Sequence, residues 1–126
     1  MTSEDPKHVE PQEIERSVID LAIESWRFQK LFARALAKLD AGESLRFANQ
    51  HRYFIKRIEE CLADAGLRFV NIEGQVYDPG AAVTALNVGD FNKEDELVVD
   101  QMIEPVIMSK SGVIRTGTVI LRKAKQ

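Results

Sequence analysis

The chain has 126 residues, with 44% hydrophobic and 29% charged side chains and a formal net charge of −3. Those values fit one ordinary globular domain, or a helical module joined to a small β module whose cores would both be small. The negative charge argues against a general affinity for nucleic acid, and no apolar run reaches the length of a membrane span. The basic run at residues 122–125 is interpreted as a solvated tail.

The expected location is the cytoplasm. Cys61 is the only cysteine, so no intramolecular disulfide can form, which fits a reducing compartment. The first residues lack the basic and apolar regions of a signal peptide. Residues 1–11 are polar, contain two prolines, and are predicted to form a mobile arm.

Residues 12–66 are predicted to form a helical hairpin. From Gln12 to Leu39 the apolar positions alternate four- and three-residue steps, as in a heptad seam. The seam consists of Ile14, Val18, Leu21, Ser25, Phe28, Phe32, Ala35 and Leu39. A helix stop is expected at Asp40-Ala41-Gly42, and Ser44 is expected to cap a second helix that ends before Gly66.

The apolar stripes of these two helices exceed what one hairpin can bury. Two hairpins could cover them by forming a four-helix bundle, so a homodimer is predicted. The predicted interface consists of Val18, Leu21, Trp26, Phe28, Phe32, Phe54 and Ile58. Trp26 is interpreted first as a core residue and second as part of this seam.

Residues 67–126 are predicted to form a small all-β domain, which makes the fold class α+β. Extended segments are expected at Leu67–Ile72 and Gln75–Tyr77, with turns at Glu73-Gly74 and Asp78-Pro79-Gly80. The later elements are a strand or short helix at Ala81–Val88, a loop at Gly89–Glu94, two strands within Glu96–Met108 divided by Pro105, a hairpin turn at Ser109–Gly112, and one last strand at Val113–Arg122.

Several short motifs follow one another in a set order between residues 43 and 123. They are Ala65-Gly66-Leu67-Arg68-Phe69-Val70, Glu73-Gly74-Gln75-Val76-Tyr77-Asp78-Pro79, Ala81-Ala82-Val83, Gly112-Val113-Ile114-Arg115 and Thr118-Val119-Ile120-Leu121. In order and spacing they resemble the GrpE-type nucleotide exchange factors, which are co-chaperones of DnaK-type ATPases. The chain departs from that family in its shortened N-terminal helix, in Gln50 near the start of the second bundle helix, and in the segments Glu104-Pro105-Val106 and Arg115-Thr116-Gly117.

The resemblance implies a homodimeric co-chaperone that binds a DnaK-type ATPase and promotes ADP release. The alternative is a dimeric adaptor that holds a protein partner without nucleotide exchange. The candidate partner-binding residues lie around the predicted hairpin and are Met108, Lys110, Gly112, Val113 and Arg115. An equally weighted interpretation is that Met108 and Val113 fill the small β core.

No catalytic, cofactor or metal site is predicted. His51 has no second ligand at a suitable spacing and is interpreted as a surface or interface histidine. Cys61 lies on the apolar side of its helix and is expected to be a buried thiol. The acidic residues at 59–60 and 94–96 match no calcium loop and are interpreted as solvated faces.

Overall fold

The computed structural model describes residues 8–125, which form two helices followed by six strands. The elements are α1 (Pro11–Leu36), α2 (Ala41–Asp64), β1 (Arg68–Val70), β2 (Val83–Ala85), a short 3-10 helix (Val88–Asp90), β3 (Leu97–Glu104), β4 (Val106–Ser109), β5 (Gly112–Arg115) and β6 (Gly117–Lys123). The predicted α+β layout, helices first and strands after, is confirmed. Most of the predicted arm lies outside the described residues.

The two helices begin at residues that favour helix starts. Pro11 is the first residue of α1, where its missing N–H is not needed. Asp40 has an extended backbone and its Oδ1 accepts the backbone N–H of Glu43 at 3.0 Å, so it caps α2. The prediction that Ser44 caps this helix is therefore wrong. Asp40-Ala41-Gly42, which was predicted to end the first helix, instead forms the start of α2.

The end of α2 follows the sequence prediction. Gly66 has a φ of 77°, the left-handed conformation that glycine adopts without steric strain. The Leu67 N–H donates to the Leu62 carbonyl at 2.9 Å, and the Gly66 N–H donates to that of Ala63 at 2.9 Å. These two bonds form a Schellman motif that turns the chain from α2 into β1.

The strands form two small three-stranded sheets, ordered β1-β4-β5 and β2-β6-β3. β3 and β6 pair antiparallel in one sheet, and their continuations β4 and β5 pair antiparallel in the other. The chain passes between the sheets at Pro105 on the way out and at Thr116 on the way back. The predicted division at Pro105 is confirmed, whereas the predicted single last strand is wrong because it breaks at Thr116.

The segment between β1 and β3 contains the predicted turns. The Asp78 side chain accepts the Gly80 N–H at 2.8 Å, and the Asp78 carbonyl accepts the Ala81 N–H at 2.9 Å, so Asp78-Pro79-Gly80 forms the expected turn. Residues 75–77 are extended and pair with β3 through a bridge between Val76 and Val98. Of the two structures considered for residues 81–88, the strand is present as β2. The 3-10 helix begins only at Val88 and lies mostly in the segment predicted as a loop.

Two hydrophobic clusters join the helices to the strands. The first combines Ile19, Ala22, Ile23, Leu62, Leu67 and Ile107. The second combines Trp26 with Val99, Met102, Val106, Val119 and Leu121. Trp26 is 7% exposed and its ring centroid lies 5.2 Å from that of Phe69 in β1. One side of α1 therefore forms part of both cores.

Candidate functional site

The opposite side of α1 presents an apolar surface that no other part of residues 8–125 covers. Leu21 and Phe28 are seven residues apart and are 69% and 60% exposed. The Phe28 ring lies 6.4 Å from Phe32 and 6.5 Å from Phe54 of α2, centroid to centroid. Together with Tyr53 they define a surface that we call the aromatic face. It contains a hollow of about 270 Å³ lined by Phe28, Gln29, Phe32, Gln50, His51, Tyr53 and Phe54.

His51 holds the two helices together at the edge of the aromatic face. Its Nε2 lies 3.0 Å from the side-chain oxygen of Gln29 and 3.1 Å from the Gln29 carbonyl oxygen. Both are acceptors, so this nitrogen carries the proton. The imidazole stacks on Phe32 with an interplanar angle of 6°. His51 is half-buried between the helices, as expected for a surface or interface histidine.

The seven predicted interface residues fall into two groups. Leu21, Phe28, Phe32 and Phe54 lie on the aromatic face. Val18 and Ile58 pack against the first hydrophobic cluster, and Trp26 belongs to the second. The structure therefore separates two stripes that the sequence analysis treated as one broad seam. Tyr53 is a 62% exposed member of the aromatic face that is not among the predicted interface residues.

The predicted partner-binding residues come together on the β4–β5 hairpin, and we call them the hairpin surface. They are Met108, Lys110, Gly112, Val113 and Arg115. Gly112 has a φ of 121°, which only glycine adopts easily, so it permits the turn. Lys110 and Val113 are exposed, whereas Met108 is half-buried against the second cluster. Met108 therefore packs partly in the β core and is partly available to a binding partner, so each of its two predicted roles fits part of its environment.

Arg115 connects the hairpin to the first helix. Its Nη2 lies 3.0 Å from Oδ1 of Asp20 in α1, and both side chains are partly exposed to solvent. Exposed pairs of this kind contribute about 0–1 kcal/mol to stability. Arg115 therefore has a structural partner but remains accessible to a second protein.

A recess of about 730 Å³ lies between the hairpin and the end of α2. Its lining residues are Ala63, Gly66, Leu67, Arg68, Met108, Ser109, Lys110, Ser111 and Gly112. Arg68 was not predicted as a site residue, yet it pairs with Met108 in the β1–β4 register and its guanidinium lies 3.8 Å from the Met108 sulfur. The sequence carried no signal for this pairing, because strand register is a long-range property.

Glu73 forms a half-buried polar link between α1 and β3. Its Oε2 accepts from Lys30 Nζ at 2.5 Å and from the Met102 N–H at 2.8 Å. Burial alone would raise the pKa of Glu73, but these donors outweigh it and hold the pKa below its usual value of 4.5. The carboxylate is thus charged in the folded protein and fixes the position of α1 over β3.

The remaining candidate groups do not converge. Cys61 is exposed, so the prediction of a buried thiol is wrong. It lies seven residues after Phe54 on the outer stripe of α2, whereas the neighbouring Leu62 points into the core. Within residues 8–125, no group of three or more histidine, cysteine or acidic side chains is arranged to hold a metal ion.

Comparison with protein-family models, with curated proteins and with solved structures finds no match for this chain. Neither of the long helices within residues 8–125 combines the length and apolar character needed to cross a bilayer. The aromatic face and the hairpin surface contain most of the site residues predicted from the sequence.

Proposed function

We propose that this chain is a GrpE-like co-chaperone, which binds a DnaK-type ATPase and promotes its release of ADP. The observation that carries the proposal is the presence of two separate contact surfaces, one on the helices and one on the strands. The motifs that carry the resemblance to GrpE-type proteins lie at a helix end, at a turn and in the exposed hairpin, which supports the proposal. Gly66 ends the helical hairpin, Asp78-Pro79 forms a turn, and Gly112–Arg115 is the second strand of the exposed hairpin.

The aromatic face supports the dimeric part of the proposal. An exposed apolar stripe on a helical hairpin is suited to pair with the same stripe of a second copy, because a two-fold interface uses one surface twice. Leu21, Tyr53 and Phe28 are the most exposed members of the aromatic face and would lie at the centre of such an interface. The result would be the four-helix bundle predicted from the sequence.

The hairpin surface supports the partner-binding part. An exchange factor needs no catalytic group, since it acts by binding the nucleotide-free form of the ATPase more tightly than the ADP-bound form. Thermodynamic linkage then requires that it weaken ADP binding by the same factor. The two hydrophobic clusters and the Lys30–Glu73 pair hold the strands against α1, which limits the ordering entropy lost on binding.

We expect this protein to accelerate release of a fluorescent ADP analogue from a DnaK-type ATPase in stopped-flow measurements. Arg115→Glu should reduce that acceleration about ten-fold or more, because a reversed charge in a contact opposes binding. Asp20→Asn is the matched control, since it breaks the same Arg115–Asp20 pair but leaves the arginine in place. Its exchange activity should stay close to that of the wild type.

Three outcomes separate the candidate functions. Binding of the ATPase with an unchanged release rate would favour the adaptor and contradict exchange activity. If Arg115→Glu and Asp20→Asn lose equal exchange activity, the role of Arg115 is to stabilise the fold through its pair with Asp20 rather than to contact the ATPase. A complete absence of ATPase binding by the wild-type dimer would overturn the proposal.

A further inference from the structure

Another groove lies between α1, α2 and β1, and none of its lining residues belongs to the hairpin surface. Its volume is about 610 Å³, within the range of about 300–1,000 Å³ typical of ligand sites. The lining residues are Trp26, Gln29, Lys30, Ala33, His51, Arg52, Ile55, Lys56, Glu59, Phe69 and Asn71. We call it the basic groove.

The basic groove opens on the other side of the helical hairpin from the aromatic face. Trp26 and Phe28 are two positions apart on α1, which separates their directions by about 200°. The two hollows share only Gln29 and His51, which lie at the contact between the helices. A second copy that covers Phe28 would therefore leave the basic groove open.

The floor of the groove is apolar and aromatic. The Trp26 and Phe69 rings lie 5.2 Å apart at an angle of 57°, and Ile55 of α2 lines the groove beside them. Trp26 also makes a cation–π contact, because Lys30 Nζ lies 5.9 Å from the centroid of its ring. Aromatic side chains in a recess are common anchor points in protein interfaces.

The rim of the groove is positively charged, although the whole chain has a net charge of −3. Lys30, Arg52 and Lys56 line it, and Glu59 is the one acidic residue among the lining residues. Lys30 is paired with Glu73. Arg52 and Lys56 are exposed and form no ion pair with any carboxylate in residues 8–125. Two cations without a carboxylate partner thus flank an apolar floor.

We propose that the basic groove binds an extended acidic segment of a partner protein. Its carboxylates pair with Arg52 and Lys56, and an apolar side chain packs on Trp26 and Phe69. Charge complementarity favours an acidic ligand, and the apolar floor favours a polypeptide over a nucleic acid. A phosphate backbone would also meet the net negative charge of the rest of the chain.

The test uses a fluorescein-labelled acidic peptide, Asp-Glu-Asp-Leu-Phe-Glu-Asp-Glu. The control is a second labelled peptide in which every acidic residue is replaced by lysine. Binding is followed by anisotropy, and independently by the emission of Trp26, the single tryptophan of the chain. We expect micromolar binding of the acidic peptide, a change in Trp26 emission, and weaker binding as salt is raised. The lysine peptide should not bind.

Two double variants locate the binding. Arg52→Glu/Lys56→Glu should lower the affinity for the acidic peptide about ten-fold or more. Lys93→Glu/Lys125→Glu changes the charge by the same amount at exposed positions outside the groove and should retain wild-type affinity. Thermal melts monitored by circular dichroism check that both variants fold. If charge reversal unfolds the protein, Arg52→Gln/Lys56→Gln replaces it and should still weaken binding.

The proposal is overturned if the acidic peptide fails to bind the wild-type protein, or if the groove and control variants bind it equally. It is also overturned if single-stranded oligothymidine displaces the peptide with a similar affinity, because the groove would then recognise phosphate. None of these results depends on a DnaK-type ATPase, so they leave the proposed exchange activity to its own test.

Discussion

Individual polar side chains add specific contacts between elements that the hydrophobic clusters also bring together. Glu73 is the clearest case, because one carboxylate oxygen accepts both the Lys30 ammonium of α1 and the Met102 N–H of β3. Arg115 and Asp20 make a similar but more exposed connection between β5 and α1. The half-buried Lys30–Glu73 pair is therefore expected to contribute more to stability than the more exposed Arg115–Asp20 pair.

We expect Glu73→Gln to lower the free energy of unfolding at pH 7 by about 1–2 kcal/mol, because hydrogen bonds to a charged group are lost. Because the pKa of Glu73 in the fold lies below its usual 4.5, its stabilisation is complete above that pH and is lost as the pH falls further. The difference between wild type and variant in urea melts should therefore shrink below about pH 4.5. Glu94→Gln, at an exposed position, is the control, and a constant difference from pH 7 to pH 3 would contradict this role.

At the scale of elements, the long hairpin that contributes β3, β4, β5 and β6 is shared between two sheets. Its crossing point is tight. A methyl group added to Gly117 would lie 2.9 Å from the Glu104 carbonyl oxygen and 3.1 Å from side-chain atoms of Met102 and Val106. Glycine is needed here for space, since its φ is not positive.

Gly117→Ala should destabilise the protein by about 1–3 kcal/mol, because a backbone oxygen cannot move away as a side chain can. Gly89→Ala is the matched control, since no atom lies within 4 Å of the added methyl group. Urea denaturation measures both. Similar midpoints for the two variants would show that the crossing point can expand without strain.

The helical hairpin leads to a second prediction at this scale, the oligomeric state. Sedimentation should show a dimer for the wild type, and Leu21→Asp or Phe28→Asp should convert it to monomer, because a carboxylate would be buried without a partner. Leu86→Asp is the control, since Leu86 is 63% exposed in the β part of the chain. A monomeric wild type at micromolar concentration, or equal effects of Leu21→Asp and Leu86→Asp, would exclude the aromatic face as the interface.

At the scale of the whole molecule, the helical and β parts do not have separate cores. Ile19, Ala22 and Ile23 of α1 pack with Ile107 of β4, and Trp26 packs with Val99 of β3 and its neighbours. Each cluster would lose part of its members if the chain were divided after Gly66. Cooperative folding of the two parts is the expected consequence.

Thermal unfolding followed by Trp26 fluorescence and by helical circular dichroism should therefore give one coincident transition. Trp26→Ala should lower the free energy of unfolding by about 3–5 kcal/mol, as expected for a large buried aromatic side chain. Its effect should lower the midpoint of the helical signal and that of the near-ultraviolet aromatic signal by the same amount. Two separate transitions in the wild type would indicate independently folding domains.

Local features of the sequence determined the elements with good accuracy. Apolar periodicity located both helices, Gly66 marked the end of α2, and Pro105 divided β3 from β4, because each effect acts within a few residues. The cap of α2 is also encoded locally, since Asp40 and Glu43 have capping-box spacing, although the prediction of Ser44 as the cap is wrong. The tight turn at Gly112 followed from the same local chemistry.

Only the tertiary structure decided which apolar surface is buried. Two stripes of α1 are apolar, and the sequence does not say that the strands cover Trp26 and leave Phe28 exposed. The alternation of side chains continues through Thr116, so it does not reveal that β5 and β6 belong to different sheets. The basic groove likewise exists only because α1, α2 and β1 meet there. These features depend on contacts between distant residues, which no local pattern encodes.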